Sequence, residues 1–287
     1  MASHTEHFIE AGDGLKLFYR EFGSDNPGLP ILCLAGLTRN SRDFEDVCAR
    51  LGERYRVLAL DLRGRGFSDW DPNWRNYNPQ TYADDVLGLL DKLGIDQIVL
   101  LGTSLGGLIS TVLSYNHPER VAGVMLNDVG PEIASEGLER IKGYVGLLGP
   151  VTNWDEAAEQ AKLINSIAWP DLPDEEWHRI ARRLYREDGA GVPRLDMDPM
   201  IGEAARKVGA TLTDPWVLFE GLNDIPAMVL HGETSDILTM DIVERMLEKK
   251  PDLEHVLVPG VGHVPLLNEP VAEQAIDAFL DKVQANG

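Results

Sequence analysis

Gly102-Thr103-Ser104-Leu105-Gly106 follows directly on the apolar run Ile98-Val99-Leu100-Leu101 and leads into a helix-like run. A Gly-x-Ser-x-Gly pattern is common by itself, but between a strand and a helix it describes a sharp turn that lifts a serine hydroxyl above the end of a sheet. The glycines have a mechanical reason to be there. In so tight a turn, side chains at Gly102 and Gly106 would collide with the neighbouring strand and helix, and Gly107 relaxes the same crowding. Ser104 is therefore the candidate nucleophile.

A serine hydroxyl is a weak nucleophile at neutral pH unless a base takes its proton, so the rest of the chain must supply a histidine and an acid. Two later loops do so. After the apolar strand Ala227-Met228-Val229-Leu230 comes His231-Gly232-Glu233-Thr234-Ser235-Asp236, and after His255-Val256-Leu257-Val258-Pro259 comes Gly260-Val261-Gly262-His263. Asp236 and His263 each follow the carboxyl end of a strand. In an open parallel sheet those ends share one edge, where ligands bind, so distant residues can converge there.

The order Ser, Asp, His, set within five ordered pieces, resembles the alpha/beta-hydrolase superfamily, and within it the cap-bearing group of esterases, lactonases and carbon–carbon hydrolases. The pieces are Leu34-Ala35-Gly36-Leu37 after the third strand, Asp61-Leu62-Arg63-Gly64-Arg65-Gly66-Phe67-Ser68 after the fourth, the serine turn, and the Asp236 and His263 loops. The resemblance spans nearly the whole chain. It implies that His263 accepts the Ser104 proton and returns it to the leaving group, and that Asp236 orients the imidazole. It also implies that the backbone N–H groups of Leu105 and Leu37 receive the developing oxyanion. Asp128, which follows the sixth strand, stands where some hydrolases of this fold carry their acid; Asp236 holds the commoner place. One departure is Ala35-Gly36 where the family often has His-Gly, which keeps the backbone donor but removes a side chain that usually braces the loop.

Composition sets limits on this reading. A chain of 287 residues, 44% of them hydrophobic, can bury a substantial core, and one domain with an insertion fits it better than two independent folds. Its formal charge of −21, from 47 acidic against 26 basic residues, repels phosphate backbones and anionic lipid surfaces, so neither nucleic acid nor membrane is an expected partner. Met1-Ala2-Ser3-His4-Thr5-Glu6-His7 has no basic segment followed by an apolar one, and the expectation is a soluble cytoplasmic protein. Cys33 and Cys48 read as small buried apolar residues rather than a disulfide or metal site. No clustered His, Cys or carboxylate pattern and no Gly-rich phosphate loop is present, so no metal or cofactor is implied.

Strand and helix signals alternate along the chain as a mostly parallel, doubly wound sheet requires. A hairpin over Phe8–Phe22 opens it. Then come a strand at 31–34, a helix near 41–51, a strand at 57–60, a helix near 82–93, the serine strand and its helix, and a sixth strand at Val121–Leu126. After Gly130 the alternation stops. Residues 131–213 have helical periodicity with no convincing buried strand and read as a helical cap inserted into a core formed by 1–130 and 214–287. This stretch holds Trp154, Trp169, Trp177, Tyr144 and Tyr185, most of which are expected to pack the cap onto itself and onto the core, with one or two facing a substrate. A strand at 227–230 resumes the pattern, which ends in a helix near Val271–Val283.

Arg39, two residues past the Leu37 donor position, has two readings: a reader of a substrate carboxylate, or half of a buried ion pair. His231 and the Asp61–Gly64 turn read as structural. The implied activity is hydrolysis of a small or medium carboxylic ester or lactone, in an enclosed apolar pocket suited to a neutral substrate. The same serine, acid and base also serve carbon–carbon cleavage of diketone-like substrates, and relatives of this fold include small-molecule receptors and cofactor-free oxygenases. The acyl and alcohol groups and the oligomeric state are not encoded in any motif.

Overall fold

A computed structural model describes residues 4–207 and 214–285. In chain order the elements are β1 (His4–Glu10), β2 (Lys16–Phe22), β3 (Ile31–Leu34), α1 (Glu45–Leu51), β4 (Val57–Leu60), α2 (Pro79–Leu93), β5 (Ile98–Thr103), α3 (Leu105–Asn116) and β6 (Val121–Asn127). The segment expected as an insertion follows, with α4 (Ser135–Tyr144), α5 (Trp154–Asn165), α6 (Glu176–Leu184), β7 (Tyr185–Glu187), β8 (Pro193–Leu195) and α7 (Met200–Lys207). Then come α8 (Pro215–Phe219), β9 (Ala227–Gly232), α9 (Met240–Lys249), β10 (Glu254–Val258) and α10 (Pro270–Gln284).

Eight strands form one sheet in the order β1-β2-β4-β3-β5-β6-β9-β10. β1 and β2 form the expected antiparallel hairpin, β2 also runs antiparallel to β4, and the remaining pairs are parallel. Strand order reverses at β3 and β5: the chain leaves β3 toward β4 on one side, and β5 lies on the other. A crevice opens at such a reversal, beyond the carboxyl ends of the strands. Register aligns those ends, with Leu34 opposite Gly102 and Thr103 opposite Asn127. The loops after β3, β5 and β6 therefore meet over one small area.

Alternation along each strand sends neighbouring side chains to opposite faces, and both faces are covered. Leu32, Leu34, Leu100, Leu126 and Val229 meet α2, α3 and α9 on one face. Ile31, Cys33, Leu101, Met125 and Leu230 meet α1 and α10 on the other. Each fully buried Leu or Ile in these layers contributes about 1.5–3 kcal/mol relative to exposure. The helix limits follow local chemistry. The Asn78 side chain accepts from the Thr81 N–H at the start of α2, Pro79 fills a first-turn position where no N–H is needed, and Gly94 ends the helix in the left-handed region.

Within the insertion, α5 and α6 pack through Ala157, Ala161, Trp169, Trp177, Ile180 and Leu184, with Tyr185 in the same cluster and Trp154 against it. So the aromatics are mostly used internally. Tyr144 instead packs partly against the main core. β7 and β8 form a short antiparallel ribbon that the sequence reading did not include; three-residue strands with mainly outward-facing side chains leave no apolar alternation to detect. The expected end of the insertion, 213, lies outside the described residues. Cys33 and Cys48 are buried free thiols with sulfurs 3.7 Å apart. No helix among the described residues is long and apolar enough to cross a membrane.

Candidate active site

Ser104 sits between β5 and α3 with φ 51° and ψ −113°, a conformation that L-residues adopt only when their surroundings impose it. The surroundings are the glycines. A Cβ at Gly102 would lie 2.5 Å from the Gly106 carbonyl and the Gly107 nitrogen, and one at Gly106 would lie 2.0 Å from the Leu34 carbonyl oxygen. Without side chains at these points α3 can start against β3 and β5, and the turn closes. The Ser104 N–H donates to the Asn127 carbonyl at 3.1 Å, which ties the turn to β6.

His263 meets Ser104 and an aspartate. Its Nε2 lies 3.0 Å from Ser104 Oγ, and its Nδ1 lies 2.7 Å from an oxygen of Asp128. Since a carboxylate only accepts, Nδ1–H donates to Asp128, and Nε2 is left with a lone pair to accept the serine proton. Asp128 is fully buried and held by two further donors, the Gly232 N–H at 2.8 Å and the Ser235 hydroxyl at 2.6 Å. The loop carrying His263 comes this close because Gly232 has no side chain: a Cβ there would lie 2.5 Å from the Gly262 carbonyl oxygen.

The aspartate that meets His263 is thus Asp128 and not the expected Asp236. Asp236 is not hydrogen-bonded to His263; both its oxygens receive the Arg140 guanidinium, from Nε at 2.5 Å and Nη2 at 2.8 Å. Burial pushes the Asp236 carboxyl up, but Arg140 outweighs it, with a smaller contribution from His263, and holds the group below its ordinary value. The physical reason is reach. Asp128 immediately follows β6, the strand next to the serine strand, whereas Asp236 lies four residues beyond the end of β9, past a turn in which the Ser235 N–H donates to the Gly232 carbonyl. From there it faces α4, not the imidazole. It also anchors the insertion through its backbone, since its carbonyl accepts from the Gly137 N–H.

The two expected oxyanion donors flank the serine. Leu105 is the first residue of α3, so its N–H has no acceptor one turn back in the helix and stands at the positive end of the helix dipole. Leu37 lies in the loop after β3, which passes close to the nucleophile: a Cβ on Gly36 would lie 3.7 Å from Ser104 Cβ. Arg65 braces this loop. It is fully buried, its Nε donates to the Leu37 carbonyl at 2.8 Å, and its Nη1 donates to the Arg63 carbonyl and the Tyr82 hydroxyl. Sequence reasoning noticed that Ala35 removes the usual brace but missed its substitute. The Asp61-Leu62-Arg63-Gly64 segment is structural as expected: Asp61 accepts from the Ser41 and Phe67 N–H groups, and Arg63 is buried among Asp13, Asp71 and Asp85.

Arg39 pairs with Asp43 through Nε at 2.5 Å and Nη2 at 3.0 Å, which fits the ion-pair reading. His231 and His255 contact each other at 3.2 Å across β9 and β10, away from the serine–histidine pair in the hydrogen-bond network. Burial and the neighbouring His231 push the His255 imidazole down. Among the described residues no group of three His, Cys, Asp or Glu side chains is placed to hold a metal ion. A hydroxyl, an imidazole and a buried carboxylate in series, beside two candidate backbone donors, can carry out nucleophilic attack on a carbonyl with proton return.

Comparisons with known proteins agree with this architecture. A crystal structure of an alpha/beta hydrolase from Novosphingobium aromaticivorans superposes with a TM-score of 0.92 at 40% identity, covering 98% of this chain and 99% of that one. The 3-hydroxybutyrate-oligomer hydrolase of Cupriavidus necator is 31% identical over 264 residues, 89% of each chain. The 2-(acetamidomethylene)succinate hydrolase of Mesorhizobium japonicum is 29% identical over 96% of this chain and 97% of its own. The profile of the alpha/beta hydrolase fold matches residues 30–270, and the chain belongs to that family.

Proposed function

We propose that the protein is a serine hydrolase that cleaves a small or medium carboxylic ester or lactone through an acyl-enzyme on Ser104. The observation that carries this reading is the continuous chain Ser104–His263–Asp128, with contacts of 3.0 and 2.7 Å. The hydrolases among its relatives support the reaction class, and neither named substrate is taken over as this protein's own.

His263 accepts the Ser104 proton as Oγ attacks the carbonyl carbon, and Asp128 holds the imidazole in the correct tautomer and stabilises it once charged. The tetrahedral oxyanion is met by the N–H groups of Leu105 and Leu37, with Arg65 as a positioning residue for the latter. His263 then returns the proton to the leaving alcohol, and the acyl group stays on Ser104. Water, deprotonated by the same imidazole, attacks the acyl-enzyme; the acid departs and the serine recovers its proton. The insertion acts as a cap that excludes bulk water, so that the donors act in a low-dielectric space.

A fluorophosphonate probe is expected to label the protein once, and Ser104→Ala to abolish labelling while leaving the circular dichroism spectrum intact. Continued labelling of the variant places the nucleophile elsewhere. A substrate panel of p-nitrophenyl butyrate, a lactone and a ring-cleavage diketone tests the bond type. Clear preference for the diketone replaces ester hydrolysis with carbon–carbon cleavage on the same residues.

A further inference from the structure

His263 stands five residues past the end of β10, in a loop that belongs to no helix or strand. No ladder fixes such a segment, so the place of the imidazole depends on what the neighbouring backbone groups meet. The connection between α5 and α6 supplies two of those partners from consecutive residues. The Gly262 N–H donates to the Ala168 carbonyl at 2.7 Å, and Trp169 Nε1 donates to the Val264 carbonyl at 2.8 Å. Gly262 and Val264 are the residues immediately before and after His263. The contact is close as well as polar: a Cβ on Gly262 would lie 3.2 Å from Ala168 Cα, and Val261 and Leu266 pack against the apolar cluster that contains Trp169 and Trp177.

The next carbonyl along the loop is held from the sheet. Asn127, buried as the last residue of β6, donates from Nδ2 to the Pro265 carbonyl at 3.0 Å and to Thr103 Oγ1 at 3.1 Å. An amide nitrogen carries two N–H bonds, so both are spent. The reversed amide would set its oxygen against the Pro265 carbonyl oxygen, and the hydrogen-bond network therefore fixes which way the group points. The backbone carbonyl of Asn127 accepts the Ser104 N–H, and the residue after it is Asp128. One strand end thus touches the serine turn, carries the aspartate that meets His263, and fastens the histidine loop. The 3.0 Å contact between His263 Nε2 and Ser104 Oγ leaves little room for error, since a misplacement of about 1 Å costs on the order of 10²-fold in rate.

We propose that Trp169 and Asn127 are positioning residues for His263. Their N–H groups clamp the adjacent Val264 and Pro265 carbonyls, one from the α5–α6 connection and one from β6, so that the base meets Ser104 only while that connection is seated on the histidine loop. This deepens the serine-hydrolase reading and rests on it for the consequence in turnover, though not for the clamp itself. The indole N–H of Trp169 is then spent on the protein's own base and not on a substrate.

The test reads the imidazole directly. In wild type the His263 Nδ1–H donated to Asp128 is expected to give a far-downfield proton resonance, assigned by its loss in His263→Gln. Trp169→3-(3-benzothienyl)alanine keeps the fused rings and puts sulfur where the N–H stood; Asn127→Leu keeps the volume without the donor, and the smaller Asn127→Ser gives the same reading should the leucine variant not fold. In each variant with a native circular dichroism spectrum the resonance is expected to move upfield and broaden. The rate of fluorophosphonate labelling and kcat should fall about tenfold or more, with KM changed by less than about twofold, because alignment of the base matters only in the transition state. An unmoved resonance in either position's variant overturns the clamp, as does an unchanged kcat where wild type is active. Wild-type labelling and ester hydrolysis read the other proposal: neither of them, with a resonance that moves at both positions, sinks the hydrolase and spares the clamp, whereas turnover with an unmoved resonance does the reverse.

Discussion

The loops after β6 and β9 each present an aspartate at the same edge of the sheet, and the two carboxylates have opposite surroundings. Asp128 is fully buried and bonded to a backbone N–H, a hydroxyl and His263. Asp236 is bound on both oxygens by a guanidinium. A carboxylate that must stabilise a transient imidazolium needs an unneutralised charge facing the ring. One that is already paired with a permanent cation has little to add when the imidazole charges. Chain order distinguishes neither case. What distinguishes them is whether a cation from the insertion arrives first, and Arg140 on α4 does so at Asp236.

The largest expected effect breaks this comparison directly. Asp128→Asn preserves size but presents a donor where His263 needs an acceptor, and should lower kcat by up to about 10⁴-fold, the scale on which a wrongly held histidine tautomer costs a serine hydrolase. Asp236→Asn, assayed in parallel, should lower kcat by less than about tenfold. Steady-state kinetics on variants with native circular dichroism spectra checks both, and the reverse ranking returns the orienting role to Asp236.

Next in size is the pairing of Asp236 with Arg140. The two side chains are 16% and 23% exposed, so the pair lies well inside the range where removing one partner leaves a costly charge. A double-mutant cycle with Asp236→Asn and Arg140→Gln, read by urea unfolding, should give a coupling of about 1–3 kcal/mol. A coupling near zero would mean that the insertion is seated by its backbone contacts and apolar packing alone.

The smallest effect is in acid. Because Arg140 holds the folded Asp236 carboxyl below its ordinary value, the unfolded chain binds more protons there, and the pair adds stability above the unfolded pKa of about 4. That contribution is lost as pH falls through the folded value. Urea midpoints of wild type and Asp236→Asn should therefore lie apart at pH 6 and draw together below about pH 4. A gap that stays constant assigns the difference to packing instead of charge.

The parts legible in the sequence are those fixed by local sterics. The Gly102–Gly107 turn announced itself because only glycine tolerates a carbonyl 2.0 to 2.5 Å from its Cβ position, and the alternation of strands and helices followed from apolar runs buried on both faces. Ser104 and His263 meet as read. The aspartate that contacts His263 was not the expected one, because two aspartates satisfied the same positional rule and the cation that separates them, Arg140, lies in a helix whose docking no spacing encodes. A usable signal existed: Asp128 directly follows the strand beside the serine strand, and Ser235, the neighbour of Asp236, is the residue that reaches Asp128. Arg65 was missed for a related reason, since its contact with the Leu37 carbonyl spans 28 positions and forms only when the turn after β4 folds under the loop after β3.

Ser235 and Asp236 are consecutive, and they serve different masters. The Ser235 hydroxyl donates to Asp128, while the Asp236 side chain and carbonyl hold α4. One peptide unit therefore joins the shell of the acid to the anchor of the insertion. The two are springs in series: displacement of α4 loads the same backbone that carries the hydroxyl on Asp128. The Gly232 N–H holds Asp128 from a second side, so α4 bears on one of the two contacts that seat the carboxylate facing the imidazole while contributing no atom to either.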